Sequence, residues 1–224
     1  MKTETIIKET ENFVRSILEK DSSGHDWWHI YRVRNLAIKL AQKEGADLFI
    51  CEMAALLHDV ADEKLISDET KGINLITNWL KQHDIRENII RHIISIISEM
   101  SFKGGNRKPM ETMEGKIVQD ADRLDAIGAI GIARTFAYAG TKGNLMYDPM
   151  LSPRVNMTKE EYRNGKSTAI NHFYEKLLKL KDLMNTEYAK EIALERHKIM
   201  EEYLKDFFVE WDGLDEILIK KLID

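Results

Sequence analysis

Apolar residues recur at helical spacing along most of the chain. In the stretch 26–44 the apolar stripe includes one histidine, and its members at i, i+4, i+7, i+8 and i+11 are His29, Val33, Leu36, Ala37 and Leu40. The imidazole of His29 is therefore expected to point into the protein. Further helices are predicted at 73–83 and 85–100, and the alternation typical of β-strands does not stand out. The pattern predicts an all-α fold.

Two other helical stretches, 47–60 and 115–133, place polar side chains among small or apolar residues. His58 lies on the buried face of the first stretch, and Asp59 follows it directly. Asp122 lies on a face of the second stretch that is made mostly of small residues, which allow another helix to approach closely. A buried carboxylate is costly unless it is paired or bound to a cation. Both aspartates are therefore expected to have a positively charged partner.

Two imidazoles and two carboxylates suit a divalent transition metal and leave coordination positions free for water and a substrate oxygen. Taken singly, each side chain also fits an ordinary structural role. His29 fits a hydrogen-bonded core histidine, His58–Asp59 fits a helix end with a histidine–carboxylate bond, and Asp122 fits a salt bridge to a nearby arginine. The metal-site hypothesis therefore depends on all four residues together.

The strings that carry these residues resemble a known signature. They are His29-Ile30-Tyr31-Arg32-Val33, Leu56-Leu57-His58-Asp59 and Gln119-Asp120-Ala121-Asp122-Arg123-Leu124. In order and spacing they resemble the H…HD…D signature of the HD-domain metal-dependent phosphohydrolases. The stretch 173–204 is similar to the C-terminal half of small bacterial single-domain members, so the resemblance covers about residues 20–210.

The resemblance implies an all-α, single-domain helical bundle of the HD-domain type, with the metal site among the core helices. One domain would span 1–224, with a metal-binding core at about 20–135 and C-terminal helices at about 158–210 packed on it.

The resemblance also implies roles for particular side chains. Its metal ligands are His29, His58, Asp59 and Asp122, which leaves Asp125 and Asp120 to support the ligands through hydrogen bonds. Asp62 and Glu63 would position or activate the attacking water, with a solvated helix end as the alternative. Cationic side chains would hold the rest of a polyphosphate, and the candidates are Lys64, His92, Arg134, Lys176 and Arg196, each with an ordinary surface charge as the alternative.

The implied cofactor is one divalent transition metal, because no further histidine spacing completes a second site. Manganese is the expected ion, with iron, nickel, cobalt and zinc as alternatives. The implied activity is hydrolysis of phosphate esters or anhydrides, most specifically a nucleoside triphosphate pyrophosphohydrolase that releases pyrophosphate. A nucleoside monophosphatase, a phosphodiesterase and a non-catalytic metal- or nucleotide-binding sensor stay open.

Composition and charge limit the class of protein and the partners that the chain is expected to have. The chain has 224 residues, 43% of them hydrophobic, which is a globular mixture with enough residues for a sizeable core. A formal net charge of -5 argues against a nucleic-acid partner. A single cysteine, the polar first residues and the lack of a long apolar run predict a cytoplasmic protein without a membrane segment, either a monomer or a homodimer. The loop 140–156 is a candidate lid, with a solvated turn as the alternative.

Overall fold

The computed structural model describes residues 2–18, 26–61, 69–100, 110–154 and 165–214. Within these residues the protein consists of α-helices and two 3-10 helices, and it contains no strand. The α-helices are α1 Lys2–Leu18, α2 Trp27–Glu44, α3 Leu48–Leu57, α4 Glu69–Gln82, α5 Glu87–Met100, α6 Met113–Asp125, α7 Gly128–Thr141, α8 Ala169–Glu175 and α9 Glu187–Trp211. The 3-10 helices are His58–Ala61 and Leu177–Leu183. The all-α prediction is confirmed.

Helices α2, α3 and α6 form the centre of the fold, and each packs against the other two. Small residues at the contacts, among them Ala37, Ala54 and Ala121, are fully buried and let the helix axes come close. Helices α1 and α5 cover α3, while α9 lies across α6 and α7. Among the described residues, none of the helices combines the length and apolar composition needed to cross a bilayer.

Side-chain caps set the start of the three central helices. The carboxylate of Asp26 accepts a hydrogen bond from the backbone N–H of His29, that of Asp47 accepts one from Ile50, and the Thr112 hydroxyl accepts one from Gly115. Each cap satisfies an N–H group that has no partner inside the helix. The cap of α2 thereby places His29 in its first turn.

Two predicted helix boundaries are wrong. The stretch 47–60 is a single helix in the prediction, whereas α3 ends at Leu57 and continues as a 3-10 helix. The stretch 115–133 is divided between α6 and α7. The break occurs at Gly128, where a φ of 75° interrupts the helical path. Residues other than glycine rarely adopt this φ. Residues 129–133 therefore do not extend the face that carries Asp122.

The 3-10 helix after α3 is held by an unusually close helix contact. A Cβ atom at Gly72 of α4 would lie 2.6 Å from the Cα atom of Ala61 and 3.0 Å from its Cβ atom. Only glycine fits this distance without moving the backbone. The position of the 3-10 helix thus depends on the absence of a side chain at Gly72.

We expect Gly72→Ala to lower the free energy of unfolding by about 1–3 kcal/mol, because the added methyl group overpacks against Ala61 backbone. Urea denaturation measures the effect. The matched control is Gly140→Ala in α7, where an added Cβ meets nothing within 4 Å and helix propensity favours alanine. Equal stabilities of the two variants would contradict the assigned contact.

Cys51 is fully buried on α3 and is free. Burial, aided by the negative charges of Glu114 and Asp47, raises the pKa of its thiol to about 12. Since the thiolate is the reactive form, the native protein should resist alkylation at pH 8. Mass spectrometry after iodoacetamide treatment checks this, with the urea-unfolded protein as the reactive control. Similar labelling rates in the two samples would show that the thiol is accessible.

Candidate metal centre

Three buried side chains from two neighbouring elements meet inside the protein. His29 comes from the first turn of α2, while His58 and Asp59 open the 3-10 helix after α3. The Nε2 atom of His29 lies 3.3 Å from Asp59 Oδ2, and the Nε2 atom of His58 lies 3.4 Å from Asp59 Oδ1. One ligand atom from each of the three residues lies within 4.8 Å of the others. This spacing suits three donors around one ion.

Asp122 approaches the same point from α6. Its Oδ1 atom lies 3.5 Å from His29 Nε2 and 4.0 Å from His58 Nε2. The Asp122 side chain is 40% exposed, whereas those of His29, His58 and Asp59 are at most 8% exposed. Solvent therefore reaches this cluster from the side of Asp122, where a fourth donor and an external molecule would meet.

Hydrogen bonds orient both imidazoles toward the cluster. The Nδ1 atom of His58 lies 2.8 Å from the carbonyl oxygen of Ala55, which can only accept, so Nδ1 carries the proton. The Nε2 atom of His58 is buried and makes no hydrogen bond to any residue that the structure describes. The Nδ1 atom of His29 lies 2.7 Å from Asp125 Oδ2. Metal-binding histidines are commonly oriented by such bonds through their other nitrogen. The cluster therefore fits a divalent cation.

The carboxylate of Asp125, with 2% exposure, supports His29 from behind. It also accepts two hydrogen bonds from Arg32, from the Nε atom at 2.6 Å and from the NH2 atom at 3.1 Å. A further hydrogen bond comes from the NH1 atom of Arg134 at 2.7 Å. Burial raises the pKa of Asp125, but the bonds from His29 and Arg32 outweigh it, and the pKa lies well below its usual range. Burial lowers the pKa of His29, yet Asp125 and Asp59 raise it more, to about 9.

Of the predicted phosphate-binding cations, Arg134 contacts this centre, and Lys176 interacts with it through charge. Arg134, from α7, reaches Asp125 as described above. Lys176, which follows α8, interacts electrostatically with the carboxylate of Asp122 and with the guanidinium groups of Arg134 and Arg123. Burial lowers the pKa of Lys176, and Asp122 opposes that shift. The charges of Lys176 and of Asp122, the most exposed member of the cluster, therefore act on each other.

Of the other predicted site residues, His92 lies away from this centre and Arg196 lies at its border, next to Asp125. His92 has its Nε2 atom 3.7 Å from Glu114 in the first turn of α6, about 12 Å along the helix from Asp122. Arg196 donates a hydrogen bond to the Leu124 carbonyl at the end of α6. Asp62, Glu63 and Lys64 lie outside the described residues, as do residues 155–164, where the C-terminal helices were predicted to begin.

Asp120 does not support the ligands. Its buried carboxylate accepts hydrogen bonds from the backbone N–H groups of Asn185 and Thr186 and from the Thr186 hydroxyl, at 2.8 to 3.1 Å. These bonds join α6 to the start of α9.

Arg32 is a site residue that sequence reasoning missed. It lies three positions after His29, so the two side chains lie on neighbouring faces of α2, and both contact the Asp125 carboxylate. A charged residue at the edge of an apolar stripe is ordinarily solvent-exposed, and for this reason the pattern indicated nothing unusual. A signal was present nonetheless, because a buried carboxylate in the same site requires a cationic partner.

Comparisons with known proteins agree with the fold. A model of the HD domain matches residues 27–127. The protein YpgQ of Bacillus subtilis is 40% identical over 93% of this chain and 95% of its own length. Its crystal structure in complex with ADP has a TM-score of 0.75, with 40% identity over 92% of this chain and 95% of that chain. An HD-superfamily hydrolase of Bacillus thuringiensis is 51% identical, with a TM-score of 0.75 over 95% of this chain and 99% of that chain.

The chain belongs to the HD-domain family of metal-dependent phosphohydrolases. Membership in this family implies a divalent metal, and the described residues that can supply ligand atoms within one compact group are His29, His58 and Asp59.

We expect Asp125→Asn to weaken metal affinity by about 10- to 100-fold, because the neutral amide no longer fixes the His29 tautomer. Isothermal titration calorimetry with manganese measures the effect. Asp182→Asn is the matched control, since its side chain is 72% exposed and its ion pair joins it to Lys181. An unchanged manganese affinity in folded Asp125→Asn protein would show that Asp125 does not support metal binding.

Proposed function

We propose that this protein hydrolyses nucleoside triphosphates at the α-phosphorus. Water breaks the bond between the α-phosphorus and the bridging oxygen, which gives a nucleoside monophosphate and pyrophosphate. The observation that carries the proposal is a buried cluster of ligand atoms whose solvent-facing member, Asp122, acts electrostatically on Lys176, while Arg134 donates to the neighbouring carboxylate of Asp125. That YpgQ of Bacillus subtilis was crystallised in complex with ADP supports a nucleotide as the substrate.

In this proposal the metal ligands are His29, His58, Asp59 and Asp122, and manganese is the ion. The His58–Ala55 and His29–Asp125 hydrogen bonds support it, since each leaves an Nε2 atom directed at the cluster. A divalent cation supplies Lewis-acid charge for the phosphate oxygens and activates water when bound.

The protein's own side chains would then bind and orient the substrate. Because the two histidines and Asp59 are buried, the phosphate chain enters from the side of Asp122. Lys176 and Arg134 neutralise its charge there, as phosphoryl transfer requires. Arg134 already donates to Asp125, and this bond holds its guanidinium group in place before substrate arrives. Asp62 and Glu63 stay the predicted residues for positioning water, and Lys64 a predicted phosphate ligand.

Phosphorus NMR of the reaction products tests the proposal. Manganese-loaded protein incubated with nucleoside triphosphates should yield monophosphate and pyrophosphate in equal amounts. His58→Ala should lose manganese and at least about hundredfold in turnover, because one ligand is gone while the helical fold, followed by circular dichroism, is retained.

Other products would separate the remaining candidates. Orthophosphate from a nucleoside monophosphate would indicate a monophosphatase, and cleavage of a diester would indicate a phosphodiesterase. Metal or nucleotide binding without turnover under any divalent ion would contradict the proposal and favour the sensor. Cytoplasmic location and a monomeric or homodimeric state stay predictions.

A further inference from the structure

Glu175, the last residue of α8, carries a carboxylate that is fully buried. Its Oε1 atom accepts hydrogen bonds from the backbone N–H and the Nε atom of Arg154 at 3.0 and 2.8 Å. Its Oε2 atom accepts from Arg154 NH2 at 2.8 Å and from the Ser167 hydroxyl at 3.0 Å. Burial raises the pKa of Glu175, but the bonds from Arg154 outweigh it, so the carboxylate is ionised at neutral pH. Four hydrogen bonds to one buried charge form a rigid anchor.

The segment 145–154 holds α8 at both ends. At the start of α8, the backbone N–H groups of Ala169 and Ile170 donate to the carbonyl oxygens of Leu145 and Met146. At its end, Glu175 binds Arg154 of the same segment. Helix α8 has seven residues, and a helix this short is not stable in isolation. Its position therefore depends on tertiary contacts: Ile170 and Phe173 are fully buried in the core, and segment 145–154 adds these bonds at both ends.

Lys176 follows the anchor directly. Its backbone angles, φ -138° and ψ -59°, depart from the helix, and the chain continues as the 3-10 helix Leu177–Leu183. Within the predicted C-terminal helices at about 158–210, the helical path is therefore interrupted at Lys176. The break turns this lysine away from the line of α8, and its ammonium group interacts with Asp122 and Arg134. Glu175 and Lys176 are thus neighbours in sequence with different partners: Glu175 binds Arg154, and Lys176 interacts with Asp122.

We propose that the Glu175–Arg154 ion pair positions Lys176 at the phosphate-binding side of the metal centre. The pair fixes the end of α8 against segment 145–154. Lys176 follows Glu175 directly, so its backbone starts from this fixed point. Glu175 and Arg154 act through Lys176 and are positioning residues. The phosphate role of Lys176 rests on the proposed function, whereas its placement by the ion pair does not.

Lysine labelling tests the placement without any substrate. Wild-type protein, Glu175→Gln and the control Glu52→Gln are treated with acetic anhydride, and Lys176 acetylation is measured by mass spectrometry. Glu52 is a suitable match because it also accepts hydrogen bonds from an arginine, Arg34, but joins α2 to α3. We expect Lys176 to react several-fold faster in Glu175→Gln only. Equal reactivity in all three proteins would overturn the proposal.

A double-mutant cycle tests the consequence for phosphate binding. Calorimetry with manganese-loaded protein measures affinity for inorganic pyrophosphate in wild type, Glu175→Gln, Lys176→Ala and the double variant. Glu175→Gln should weaken binding about tenfold in the wild-type background and less than about twofold when Lys176 is absent. The manganese affinity of Glu175→Gln should equal that of wild type, because the Glu175 carboxylate is bonded to Arg154 and Ser167 rather than to a metal ligand.

The outcomes separate the two proposals. The same loss of pyrophosphate affinity in both backgrounds would show that Glu175 acts through general stability, and no loss would show that it does not act on the site; either result overturns the positioning role. Wild-type protein that binds no pyrophosphate also counts against it. Coupled loss of pyrophosphate binding in a protein without nucleotide turnover would leave the positioning role standing and refute the proposed reaction alone.

Discussion

The rest of the site depends on the hydrogen bonds that the buried carboxylate of Asp125 accepts. It lies at the end of α6 and binds His29 and Arg32 of α2 together with Arg134 of α7. Without these partners an ionised carboxylate at 2% exposure would be strongly unfavourable. With them, its pKa lies well below the usual range, and the charge is retained. These hydrogen bonds join three helices, orient the imidazole of His29 and hold the guanidinium group of Arg134.

Charge balance explains why this site suits a cation. Asp59 and Asp122 add two carboxylates next to His29. Burial lowers the pKa of that histidine, but Asp125 and Asp59 outweigh it and raise the pKa to about 9. At neutral pH the imidazole would therefore carry a proton that a bound metal ion replaces, because a metal ligand must offer its lone pair. The excess negative charge that holds the proton is the charge that binds the cation.

The sequence predicted the centre of the site well and its surroundings less well. His29 stands out because it shares the apolar stripe of its helix. Asp122, which is 40% exposed, stands out through the string Gln119–Leu124 that carries it. Arg32 does not stand out, since a charged residue beside an apolar stripe is ordinary. The break at Gly128 was missed because one glycine within a helical pattern does not by itself end a helix. Its φ of 75° follows from tertiary packing, which periodicity along the chain does not record.

The metal side and the phosphate side of the site lie on different kinds of helix, but both contain a buried carboxylate that is bonded to arginine. The metal side is carried by the central helices α2, α3 and α6, which pack against one another. The phosphate side receives Lys176 from a seven-residue helix that has little stability of its own. In both places a buried carboxylate bonded to arginine supplies the rigidity, Asp125 with Arg32 and Arg134 in one and Glu175 with Arg154 in the other. Removing one partner of such a pair leaves an uncompensated buried charge and costs about 3–5 kcal/mol, so each pair holds its helix in a single position.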